Sequence, residues 1–109
     1  MEQPDVWEKF KALTGALERR FPKGHEPYQM MTRLLEECGE LATEVHIFED
    51  SGLKRKKHGE PDKMRMANEV KGVLLGVLQV MRYYKIEEEV ISSLEQSYQR
   101  ALNEGLIDL

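Results

Sequence analysis

An all-α fold is the class this sequence predicts, and three observations predict it. Apolar residues recur at three- and four-residue spacing along most of the chain. There is no alternating strand run and no Asn-Gly or Asp-Gly hairpin signal. Polar, breaker-rich stretches, "FPKGHEP" at 21–27 and "EDSGLKRKKHGEPD" at 49–62, separate the periodic segments. The 109 residues amount to one domain over 1–109, with its core expected over 27–104.

The first periodic segment predicts a helix over about residues 4–20, with Val6, Trp7, Phe10, Leu13 and Leu17 on one buried stripe. The second predicts a helix over about residues 27–49. Pro27 suits its first turn, and Met31, Leu34, Cys38, Leu41, Val45 and Phe48 form its buried face. A third helix is expected over about 62–84. Its middle, "VLLGVLQVM" at 73–81, is apolar nearly all round, so it needs cover on more than one side. Gly72 and Gly76 would let another helix approach closely, at a propensity cost of roughly 1 kcal/mol each. A fourth helix is expected over about 87–104, with Val90, Ile91, Leu94, Tyr98, Ala101 and Leu102 as its stripe and Gly105 as its C-cap. Four helices with short links make a four-helix-bundle-like domain, and the over-covered third helix implies completion by oligomerisation.

Composition narrows the function classes. A net charge of −4 argues against a nucleic-acid-binding surface. The single cysteine, Cys38, allows no internal disulfide, and its apolar neighbours predict a buried filler. The acidic start "MEQPDVWEKF" does not read as a signal peptide, and the longest apolar run is too short to cross a bilayer. A cytoplasmic protein is expected, without a membrane or nucleic-acid partner. His58 has no cysteine or histidine at metal spacing, which argues against zinc, and His46 reads as a boundary residue. Trp7, Phe10 and Tyr28 read as packing aromatics.

The chemistry is concentrated in "LLEECGELATEV" at 34–45. Glu36, Glu37, Glu40 and Glu44 lie within nine residues. On a helix, at about 100° per residue, Glu37, Glu40 and Glu44 fall along one margin of the apolar face and Glu36 lies further out. Such a margin is either a solvated edge or one side of a cation site. Magnesium takes oxygen ligands from a few carboxylates and from substrate phosphates, so a second helix should contribute. Glu69 is the candidate on the third helix, on the margin beside Met66, Val70 and Val73, and Arg65 lies one turn away, placed to pair with it.

Together, "EECGE" at 36–40 and "NEVKGVLLGVLQVMRYYKIEEE" at 68–89 resemble the MazG-like, all-α nucleoside triphosphate pyrophosphohydrolases, whose motifs are Glu-Glu-x-x-Glu on one helix and Glu-x-x-Asp on the next long one. The resemblance covers about residues 28–104 and implies a MazG-type fold. It implies Glu37, Glu40 and Glu69 as metal ligands, for Mg²⁺ or Mn²⁺. Glu36 and Glu40 become the candidates to orient or deprotonate the attacking water, and Glu44 a possible extra ligand. Lys54, Lys56, Lys57 and Arg65 are possible phosphate contacts. The implied reaction converts a (d)NTP to (d)NMP and pyrophosphate, in a homodimer or homotetramer. The chain departs from the pattern at Gly72, where the family carries aspartate. That departure leaves a second reading: a non-catalytic helical oligomer that binds nucleotide or a protein partner through a degenerate metal site.

Overall fold

The computed structural model describes residues 3–50 and 53–108, apart from the side chains of 53–55. Five helices follow in order: α1 (Val6–Arg20), α2 (Pro27–Phe48), α3 (Leu53–His58), α4 (Lys63–Tyr84) and α5 (Glu87–Asn103). The described residues contain no strand, and no helix among them is long and apolar enough to cross a membrane. The four long helices stand within a few residues of their predicted bounds. The exception is α3, a six-residue helix inside the stretch expected to be loop.

Local chemistry sets the starts. Asp5 caps α1 through a reciprocal box: its Oδ1 accepts from the Glu8 amide at 2.8 Å, and Glu8 Oε2 accepts from the Asp5 amide at 3.3 Å. Pro27 occupies the first turn of α2, where a missing N–H costs nothing. Asp62 caps α4, accepting from the amides of Met64 and Arg65 at 2.9 and 3.1 Å. α4 ends on Lys85 in a left-handed conformation (φ 55°), an uncommon one for a side-chain-bearing residue, and α5 begins two residues later.

The centre of the fold is the α2–α4 pair. Glu44 meets Arg65, Glu37 meets Gly72, Leu34 meets Gly76 and Arg33 meets Gln79. The α2 numbers fall as the α4 numbers rise, so the helices run antiparallel. The two glycines do what their spacing suggested: a Cβ on Gly76 would stand 3.1 Å from Leu34 Cδ1, so its absence lets α2 come close. α1 joins through α4, where Arg82 Nε donates to Glu18 Oε2 at 2.9 Å.

The burial pattern departs from the predicted stripes. On α2 the buried residues are Met30, Glu44 and Ile47, while Met31, Leu35 and Val45 are exposed. Cys38 is also exposed, so the expectation of a buried filler is overturned. The closest α4 approach takes in the acidic margin and Leu34, and the far side of the apolar arc, with Met31, Leu35 and Val45, is left outward. Trp7 and Leu13 on α1 are likewise exposed, and Tyr28 is 89% exposed, so its expected packing role fails. α5 buries none of its residues. The all-α expectation holds, and within one chain the core is built from α1, α2 and α4, with α5 standing off it.

Candidate metal centre

Three carboxylates from two facing helices meet at the middle of the α2–α4 pair. Glu37 and Glu40 lie almost one turn apart on α2, and Glu69 projects from α4. One oxygen from each falls within 4.8 Å of the others. These are the three residues that the resemblance marked as metal ligands. Glu36 lies exposed beside Glu37, outside this group.

Gly72 explains how Glu37 reaches the cluster. A Cβ at position 72 would stand 2.9 Å from Glu37 Cδ and closer still to one carboxylate oxygen. The Glu37 carboxyl group thus fills the space that a side chain at position 72 would need. Glycine at the position where the resemblance expects aspartate makes room for one of the three clustered carboxylates.

Electrostatics in the cluster are unfavourable without a cation. The Glu37 carboxyl is raised above its ordinary value by burial and by the charges of Glu40 and Glu36. Glu69 is raised to about 7, first by burial and then by its hydrogen bond with Glu40 and the charges of Glu40, Glu37 and Glu44. Below about pH 7 the group therefore holds back a proton that isolated carboxylates would release. All three donors are hard oxygens, a set that suits Mg²⁺ or Mn²⁺ better than a thiophilic metal. With the Gly72 cradle, the donor set fits a small divalent cation.

Glu44 and Arg65 satisfy each other. Glu44 is 6% exposed, and Arg65 Nε donates to its Oε1 at 2.6 Å. Arg65 Nη2 also donates to the Glu60 carbonyl at 3.0 Å. The sequence paired Arg65 with Glu69; the structure pairs it with Glu44, one turn further along α2. In this arrangement Glu44 faces a guanidinium and Arg65 is already engaged. Lys56 and Lys57 are exposed on α3, and the side chain of Lys54 lies outside the described residues.

Beside the cluster opens a cavity of about 270 Å³, whose wall includes Glu37, Gly72 and Gly76. Leu17, Phe21, Leu34 and Leu75 give it apolar sides; Lys23 and Arg33 bring positive charge to it, and His25 lines it beside them. Gln79, 7% exposed, lines it too. Arg33 ties this wall together, donating to the Gly24 carbonyl, facing His25 Nδ1 at 3.3 Å and donating to Gln79 Oε1 at 3.4 Å. Sequence reasoning did not single out Arg33, His25 or Gln79. Two signals were present: Arg33 precedes Glu37 by one turn, and Gln79 is the one polar side chain in the apolar run 73–81.

A scan of family models and searches of curated proteins and of solved structures find no match to this chain.

Proposed function

We propose that this protein is a divalent-metal-dependent pyrophosphohydrolase of nucleoside triphosphates, acting as a homo-oligomer. The observation that carries the proposal is the convergence of Glu37, Glu40 and Glu69, from two helices, beside a cavity with apolar walls and a cationic rim. Mg²⁺ held by the three carboxylates would neutralise phosphate charge and lower the pKa of a water molecule.

The chain's own residues supply the rest. Lys23 and Arg33 offset negative charge at the cavity. The apolar sides take the nucleoside and exclude bulk water. Glu40, within the cluster, or Glu36, on its exposed flank, accepts the proton of the attacking water. Water oxygen bonds to the α-phosphorus, the α–β bridging bond breaks, and the bridging oxygen leaves with pyrophosphate. Glu44 and Arg65 act on this centre through charge, since each holds the other.

Gly72 favours a second reading, a metal-dependent nucleotide binder without turnover. Incubation with Mg²⁺ or Mn²⁺ and a panel of (d)NTPs separates the two. The first expects pyrophosphate, without orthophosphate, from at least one nucleotide. Nucleotide binding that needs metal but gives no pyrophosphate establishes the second reading, and no metal binding at all refutes both.

A further inference from the structure

The cavity beside the carboxylate cluster contains a side chain that its neighbours hold in one orientation. Gln79 interrupts the apolar run 73–81, is 7% exposed, and lines the cavity wall. A polar group this deep in an apolar segment costs free energy unless its atoms are engaged. Its Oε1 is engaged, accepting from Arg33 Nη2 at 3.4 Å. Its Nε2 donates to no side chain or backbone group among the described residues. Among those residues no fully buried side-chain nitrogen or oxygen lacks a partner. Nε2 therefore keeps contact with open space, and the open space beside Gln79 is this cavity.

Arg33 decides which end of the amide faces inward. A guanidinium carries donors only, so Gln79 turns its oxygen to Arg33 and its NH₂ to the cavity. Arg33 is itself held from two other sides. Its Nη1 donates to the Gly24 carbonyl, and its Nη2 faces His25 Nδ1 at 3.3 Å. His25 Nε2 lies against the Phe21 carbonyl, which can only accept, so Nε2 carries the proton and Nδ1 accepts from Arg33. The segment after α1 thus fixes Arg33, and Arg33 fixes the amide.

Position gives the amide its task. Gln79 follows Gly72 by seven residues on α4, at nearly the same angle and about 10 Å further along the axis. Glu37 and Gly72 line the same cavity, which therefore runs from the carboxylate cluster to the amide. That distance is comparable to the length of a nucleoside. With the phosphates at the cluster, the part of the base furthest from the sugar meets Gln79: position 4 of a pyrimidine or position 6 of a purine. We propose that Gln79 selects nucleotides whose base carries a carbonyl oxygen there, as in uracil, thymine, guanine and hypoxanthine. The Gln79 NH₂ donates to that oxygen. Cytosine and adenine present an amino group at the same place, so donor would face donor, with the amide oxygen turned away to Arg33. Gln79 is thus a specificity-determining residue, and Arg33 is a positioning residue that acts through it. The inference rests on the nucleotide reading of the site and adds the base class to it.

Calorimetry on the full chain tests it, with Mn²⁺ and α,β-methylene triphosphates, which resist cleavage at the α–β bridge. The comparison is uridine against cytidine and inosine against adenosine, since each pair exchanges carbonyl for amino at the position in question. The carbonyl member should bind about tenfold tighter in both pairs. Gln79→Leu should bring each pair close to equality. Arg33→Met leaves α4 untouched and frees the amide to present either end; it should narrow both ratios, whatever it does to the four affinities together. Equal binding within either pair, or a preference for the amino member, overturns this inference and leaves the nucleotide reading standing. A carbonyl preference that survives both substitutions assigns base selection to other residues and overturns it as well. A chain that binds none of the four analogues defeats the nucleotide reading and this inference with it.

Discussion

Replacing Gly72 with alanine should stabilise the metal-free protein while weakening its hold on metal. Position 72 lies inside α4, where glycine costs about 1 kcal/mol relative to alanine. The added Cβ would meet the Glu37 carboxyl group, the free end of a flexible side chain, with no backbone in its way. Glu37 can therefore swing out, which also relieves the burial and, after it, the repulsion by Glu40 and Glu36 that raise its pKa. A gain of about 1 kcal/mol corresponds to a melting temperature higher by roughly 4–6 °C for a chain of this size. The same movement takes one of three donors from the cluster, so Mn²⁺ affinity measured by calorimetry should fall about tenfold or more, or ~1.4 kcal/mol. Gly72→Asp should not add a fourth ligand to the existing three, because its side chain claims the space of Glu37. Its affinity should recover from the alanine level towards wild type. Thermal melts in chelator and metal titrations read both effects. An alanine variant that melts lower, or that binds Mn²⁺ as wild type does, would refute the cradle argument.

Further outcomes concern pH, the cluster charge and the buried Glu44. Glu69 keeps its proton up to about 7, whereas its ordinary value is 4.5. Between those values the folded chain binds more protons than the unfolded one, so metal-free stability should fall as pH rises through that window and level off above it. Mg²⁺ competes for the same oxygens, so the stabilisation it confers should grow over the same range. Glu40→Gln, which removes the nearest charge, should raise the metal-free melting temperature and flatten the pH slope; a steeper slope would contradict the assignment. Arg65→Met strands the buried Glu44 carboxylate. A fully buried pair broken this way costs about 3–5 kcal/mol, and the partial exposure of Arg65 brings the expectation down to about 1–3 kcal/mol. Chemical denaturation should show this loss, and a variant as stable as wild type would mean that Glu44 finds another partner or takes up a proton without penalty.

Much of the candidate site was legible because it depends on spacing along helices. Glu37 and Glu40 share a margin whatever else the helix touches, and Glu69 lies on the edge of an apolar face. The cavity residues were less legible. Arg33 and Gln79 meet only because α2 and α4 run antiparallel in one register. Arg65 illustrates the same limit: sequence proximity paired it with Glu69 one turn away, but the register sets Glu44 opposite it, and burial makes that the stronger partner. Cys38, Met31 and Val45 were misplaced because periodicity identifies an apolar face without saying which part of it the neighbouring helix covers.

What the sequence determined by itself is local: helices, their caps, and the angular order of side chains around each axis, all governed by short-range geometry and hydrogen bonding. What the tertiary structure decided is which margin of α2 turns towards α4, that Gly72 accommodates the Glu37 carboxylate, and that α5 stands away from its own core. These depend on the approach and register of helices far apart in sequence, where small changes in packing decide which groups meet, and no single segment encodes that choice.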